Sequence, residues 1–180
     1  MKITEVKAFA LSFKLENAPR RGVGQPVKKD TVIVRVKTED GIVGYGEAHH
    51  ALAPTLVADL VNTNLAPIVV GCNAMEVEDI WQRIYLKQGQ THGPGNALYK
   101  ALSGVDVALW DARGKALKQP VYRLLGGSRK KIRAYAGGVC MGFKPPPALL
   151  EEAQSFVDKD RKSTRLNSSH SQQSRMPSSA

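Results

Sequence analysis

The side chains that could do chemistry are few and lie far apart in the 180 residues. Arg20 and Arg21 stand side by side in a polar stretch. Two guanidinium forks there can grip a carboxylate or hydroxyls, or can be two solvated loop arginines. His49 and His50 are adjacent and follow Glu47 closely. A histidine pair suits a metal, but neighbours on an extended chain point to opposite faces, so chelation by both is not expected. Asp106 and Asp111 are five apart and do not share a helix face, which excludes a catalytic carboxylate pair. Asp111 and Lys115 have the i,i+4 spacing of a structural ion pair. His92 sits in a Gly-Pro-Gly connection and reads as solvent-facing. Cys72 and Cys140 are too few for a disulfide framework and have no partners of metal-site spacing.

Composition narrows the classes further. With 42% hydrophobic residues the chain can bury a core, and no apolar run is long enough to span a membrane. Its start, Met1 to Val6, alternates like a strand instead of following the charged-then-apolar order of a signal peptide, so the chain reads as cytoplasmic. The net charge of +10 raises nucleic acid as a partner. Part of the excess lies in Arg161, Lys162, Arg165 and Arg175. The run Arg129, Lys130, Lys131 and Arg133 lacks the interleaved aromatics that stack on bases, so no nucleic-acid partner is expected.

The elements that must position these residues follow from periodicity. Residues 2–12 read as a strand, and 14–29, broken by Pro19, Gly22, Gly24 and Pro26, as a long polar loop. Asp30 to Lys37 alternates with β-branched residues, Thr38-Glu39-Asp40-Gly41 supplies a turn, and Ile42 to Glu47 returns. That predicts a three-stranded antiparallel meander. Helices follow: one from Pro54 with Leu56, Val57, Leu60, Val61 and Leu65 in register, and one over 74–87 with Val77, Ile80, Trp81 and Ile84 on a stripe. A long third helix is capped by Asn96 and runs to about Lys118. Trp81 and Trp110 read as core. Glycine in a helix costs about 1 kcal/mol against alanine, so Gly104 and Gly114 imply close packing against a neighbour. Strands followed by helices make an α+β domain, residues 1–127. Beyond it, a strand at 132–136, a loop and a helix over 148–157 look like one β-α unit of a parallel α/β domain, residues 128–159. One such unit cannot cover its own faces.

Residues 160–180 carry no apolar periodicity and are dominated by Ser, Arg, Asn and Gln. Asp160 to His170 and Ser174 to Ala180 can each be back-translated into a common sequencing-library adapter. The expectation is a disordered, artefactual tail that is excluded from fold reasoning.

The most specific signal is Ala101-Leu102-Ser103-Gly104-Val105-Asp106-Val107-Ala108-Leu109-Trp110-Asp111-Ala112-Arg113-Gly114-Lys115, followed by Pro120 to Gly127. It closely resembles a segment of the mandelate racemase and muconate lactonizing enzyme family of the enolase superfamily. The strand ending Gly44-Tyr45-Gly46-Glu47 and residues 132–135 extend the resemblance over 1–158. The resemblance implies an enolase-like N-terminal capping domain and the truncated start of a TIM (β/α) barrel. It implies a parent enzyme that abstracts the α-proton of a carboxylate substrate, with Mg²⁺ stabilising the enediolate, and that forms a homo-oligomer when intact. The family's lysine, metal ligands and His-Asp base lie on later barrel strands, so no catalytic or metal residue can be placed here. The fragment itself is expected to bind no cofactor and to be inactive.

In that family two cap loops close over the barrel mouth and select substrate. Here they resemble 16–25 and 47–53, which makes Arg20, Arg21, His49 and His50 the substrate-binding candidates, with Glu47 serving loop structure. Polar loops point to a sugar acid or another small hydroxy acid, handled by a dehydratase or a racemase/epimerase. The alternative is a non-catalytic oligomerisation or binding module.

Overall fold

A computed structural model describes residues 1–16, 27–50, 52–93, 95–128 and 144–158. Its contacts divide the chain into two compact units, one of Met1–Phe13 with Lys29–Ser128, the other of Lys14–Lys28 with Arg129–Ala180. In the first, β1 (Ile3–Lys14), β2 (Lys28–Thr38) and β3 (Val43–Ala48) form a sheet in that order. The meander expected from alternation is present. β2 and β3 are antiparallel, with Val32 opposite Ala48, Val34 opposite Gly46 and Val36 opposite Gly44. Their turn closes through Thr38 N–H to Ile42 O (3.0 Å) and Gly41 N–H to Thr38 O (3.1 Å), with Gly41 at φ +79° where a Cβ would be strained.

One face of the sheet is dry. Val32, Val34 and Val36 are fully buried in strict alternation. On β1 the buried residues are Ile3, Val6 and Ala8, so the alternation slips by one residue. The outer edge of the strand shows the same slip. Ile3 exchanges backbone bonds with residues 71 and 72, whereas at Ala8 both backbone groups bond the Asn62 amide (2.8 and 3.1 Å). Outward-facing backbone groups of odd and even residues can share one edge only across an inserted residue, a bulge.

The helices cover the dry face. α1 runs as Pro54–Asp59, widens to a π-helical stretch Leu60–Leu65, and ends as Ala66–Val69. Pro67 has no N–H to give and its ring crowds the preceding turn, and Ala66 N–H reaches back five residues to Val61 O. The wider turn brings Asn62 to the edge of β1. α2 runs as Val77–Ile84, a π-helical stretch Tyr85–Gly89, and Gln90–His92, with Glu78 and Asp79 in a first turn whose dipole favours them. α3 (Asn96–Leu117) is the long helix, and α4 (Val121–Leu124) a short one that ends at Gly126, φ +79°. In the second unit, α5 spans Pro146–Asp158, with Lys144 Nζ on Glu152 Oε1 at 2.9 Å.

Two expectations need correcting. Asn96 is the first residue of α3, not its cap. The extended residue before the helix is Gly95 (φ −73°, ψ 159°), and no side chain bonds the free N–H groups. Trp81 is not core, being 38% exposed. The buried stripe is Val77, Ile80 and Ile84, and one step of 100° carries Trp81 past it, where it stacks on Tyr85 with 5.4 Å between centroids. Trp110 is partly buried and packs against the core, as expected. The predicted strand at 132–136, Cys140 and the tail lie outside the described residues. Among the described residues no helix is long and apolar enough to cross a membrane.

Candidate functional site

α3 fixes where β3 ends, and the loop after β3 carries the histidines. The contact between them is made of small residues. A Cβ on Gly46 would overlap Gly104 O and lie 2.6 Å from Ala108 N. One on Gly44 would overlap Ala108 O. One on Gly104 would stand 2.7 Å from the Ala48 Cβ and 2.8 Å from Val34 Cγ2. The close packing read from Gly104 is therefore real, and its counterparts on the strand are Gly44 and Gly46. Gly114 has a different reason. Its missing side chain makes room for Gln119, whose N–H bonds Gly114 O (2.9 Å) as the helix turns off at Lys118, φ +53°.

The same helix also reaches the free edge of β3. Tyr45 N–H donates to Asp111 Oδ2 (2.8 Å), and Lys115 Nζ donates both to Val43 O (2.8 Å) and to Asp111 Oδ2 (2.6 Å). The Asp111–Lys115 pair expected from spacing is present, and it does more than brace its own helix. It supplies an acceptor and a donor to two of the edge groups that a further strand would otherwise pair with. With Asn62 on β1, side chains bond backbone groups on both outer edges of the sheet. These long-range caps are not visible in local patterning.

At the end of β3, Glu47 Oε1 accepts the Thr31 hydroxyl (2.5 Å) and ties the strand to β2, a contact within the sheet and not in the loop for which Glu47 was expected. The strand stops at Ala48, so His49 and His50 are not in it. Their expected divergence is overturned: the rings stack, 15° from parallel with centroids 4.7 Å apart. His49 is exposed and His50 half-buried. The His50 Nδ1 accepts Leu52 N–H (3.0 Å), and His50 O accepts Ala53 N–H (2.8 Å). Leu52, at φ +62°, closes the turn in the left-handed region just before Pro54 starts α1. Arg20 and Arg21 lie outside the described residues. His92 is exposed, as its sequence context predicts.

The Glu5 and Asp106 carboxyls are perturbed. The Glu5 carboxyl is held below its usual range, first by its hydrogen bond from Arg35, 2.7 Å away. Asp106 is pushed up by burial and then by the nearby Glu78 charge. Neither joins the histidines. Among the described residues no group of three or more His, Cys, Asp or Glu side chains is placed to hold a metal ion.

The sequence profile of the mandelate racemase / muconate lactonizing enzyme N-terminal domain matches residues 5–126, more than half of the chain. The chain belongs to that family. Among curated relatives, a D-galactonate dehydratase family member of Paenibacillus sp. (strain JDR-2) is 37% identical over 70% of this chain and 30% of its own length. An arabinonate dehydratase of Saccharolobus solfataricus is 37% identical over 71% of this chain and 34% of its own. Among solved structures, an enolase-superfamily member from Polaromonas sp. JS666 is 44% identical with a TM-score of 0.81, over 88% of this chain and 42% of that one. A mandelate racemase/muconate lactonizing protein from Paracoccus denitrificans PD1222, 26% identical with a TM-score of 0.67 over 91% of this chain and 41% of that one, was solved complexed with magnesium. The α+β capping fold of the family is the fold seen here. This chain spans about a third of the length of the curated relatives it matches.

Proposed function

We propose that this chain is the substrate-selecting cap of a larger magnesium-dependent enzyme that removes the proton beside the carboxylate of a sugar acid or small hydroxy acid. The outcome is dehydration, or racemisation or epimerisation. The observation that carries the reading is the family match over residues 5–126, joined to relatives named as acid-sugar dehydratases. In this reading residues 1–127 are the cap and 128–159 open the barrel that completes the enzyme. Residues 160–180 have no role, and the intact enzyme is a cytoplasmic homo-oligomer. The loops at 16–25 and 47–53 cover the substrate. Arg20 and Arg21 offer forks for a distal carboxylate or hydroxyls, and His49 offers an exposed ring above it. In this reading the metal ligands and the proton-abstracting bases belong to the rest of the barrel, and the fragment alone performs no turnover.

The test compares this chain with the parent protein on a panel of aldonic acids and small 2-hydroxy acids with Mg²⁺, following 2-keto acid formation and loss of the α-hydrogen in ²H₂O. Turnover by the parent and none by the 180-residue chain is expected. Turnover by the chain alone overturns the inactive-fragment reading. A folded parent that exchanges no α-hydrogen on any member of the panel overturns the substrate reading.

A further inference from the structure

We infer that the outer edge of β1 from Phe9 to Phe13 is an interaction surface for a second copy of this chain, which adds its own β1 antiparallel to it about Leu11. Backbone parity fixes which groups that edge offers. At Ala8 both the N–H and the C=O leave the sheet sideways, to the Asn62 amide. Further along, Leu15 N–H turns the other way and bonds Val27 O across the hairpin. An even residue facing out and an odd one facing in is the parity of an unbroken strand. Ala10 and Ser12 therefore point their backbone groups outward, while Phe9, Leu11 and Phe13 point theirs at β2. The edge is closed before this stretch, at Ile3 by residues 71 and 72 and at Ala8 by Asn62. Every residue from Phe9 to Lys14 is exposed. An exposed strand edge of this kind is a template for another strand.

The side chains decide which strand fits. Phe9 lies on the open face of the sheet with the Arg35 guanidinium over its ring (5.1 Å), and alternation puts Leu11 and Phe13 on the same face. Their exposure climbs along the strand, 37%, 49% and 71%. From Ala8 to Phe13 the chain has no charge, no proline and no glycine, the composition of a segment that pairs with its like. Pairing about Leu11 sets Phe9 opposite Phe13 of the second copy, Leu11 opposite its counterpart, and Phe13 opposite Phe9. All three are non-hydrogen-bonded pairs, the closer kind, with Cα atoms about 4.5 Å apart. Ala10 and Ser12 make the hydrogen-bonded pairs between them. Lys14 falls opposite Ala8 and Lys7 opposite Leu15, so these lysines oppose no like charge. A pairing centred on Ala10 would need the Ala8 groups that Asn62 holds, so Asn62 also limits the register.

The pairing is read from the edge itself and stands apart from the proposed function. Phe9 to Phe13 is far fewer residues than the roughly 20–30 a side of a standard interface, so in this chain the contact is transient and is read by trapping it. The test uses the 180-residue chain with Cys72→Ser and Cys140→Ser, and with Val107→Lys and Leu117→Lys to keep the exposed side of α3 out of the contact. Cysteines facing each other in a non-hydrogen-bonded pair stand within disulfide reach. Under mild oxidation Leu11→Cys should form a covalent dimer at least tenfold faster than Phe9→Cys or Phe13→Cys alone. An equal mixture of Phe9→Cys and Phe13→Cys should trap as fast as Leu11→Cys. Ala10→Pro removes an outward N–H and leaves the bonds to β2 intact, so adding it to Leu11→Cys should slow trapping tenfold or more with the unfolding midpoint kept. If Ala10→Pro lowers the midpoint, Ser12→Pro replaces it, because its N–H points the same way. Equal rates for the single cysteines mean random collision and overturn the proposal. Fast trapping of Phe9→Cys or Phe13→Cys alone means another register or stacking of sheet faces, and overturns it too. Trapping that ignores the proline in a folded variant overturns the backbone pairing.

Discussion

Asp106 illustrates how one residue of a family motif can cost stability instead of providing it. Its carboxyl is half-buried on α3, faces Glu78 of α2, and has its pKa raised by both. A raised value means that the folded state binds the proton more tightly than the unfolded one. Stability therefore falls as pH rises from the unfolded value through the folded one, and the full penalty is present at pH 7. Asp106→Asn is expected to raise the unfolding midpoint at pH 7, with the gain shrinking toward zero near pH 3, where the aspartate is neutral in both states. Thermal unfolding at the two pH values checks this. A gain of equal size at both would assign the effect to packing. Glu5 has the opposite sign. Its lowered pKa contributes stability above the unfolded value that is lost as pH falls through the folded one, and its solvent exposure keeps that contribution small.

At the scale of elements, the small-residue contact between β3 and α3 sets the tolerance of the fold. Gly46→Ala would drive a methyl into the backbone of α3 at Gly104 O and Ala108 N, atoms that cannot rotate away. A loss of about 3 kcal/mol is expected, at the upper end for overpacking. A urea midpoint shift equivalent to under about 0.5 kcal/mol would show that the helix can slide. Gly104→Ala gains up to about 1 kcal/mol of helix propensity against its clash with Ala48 and Val34, and so should cost less. The sequence made β2, β3 and their turn legible because alternation and Gly41 are local signals. It made α3 legible because apolar residues recur at helical spacing from Leu98 to Ala112 within its 22 residues. It could not show the π-helical turns or the reach of Asn62 to Ala8, contacts made 54 residues apart. The histidines were legible as a candidate pair, but their mutual geometry was not. Whether they diverge or stack depends on where the strand stops, and β3 ends at Ala48, before both of them.

At the scale of the molecule, the first unit has more apolar surface than its own layers cover. On α3, Tyr99, Val107 and Leu117 are 41%, 48% and 43% exposed and fall on one side of the helix with Trp110, while Trp81 and Leu86 of α2 are also open. Scattered exposed leucines need no explanation, but aromatic and branched residues repeated along one helix face make a patch that other surfaces will cover. The chain on its own should therefore self-associate as its concentration rises, with strong fluorescence from a hydrophobic-surface dye, and the parent-length protein should show neither the dye response nor the concentration-dependent association. Val107→Lys with Leu117→Lys, both pointing away from the core, should suppress association by the chain without lowering its unfolding midpoint by more than about 0.5 kcal/mol. Deleting residues 160–180 should change neither midpoint nor association, because that segment has no apolar periodicity to pack or to cover the patch. Sedimentation velocity across a fifty-fold concentration range decides the matter. A chain that stays monomeric and dark to the dye throughout would mean that this face is already satisfied within the 180 residues.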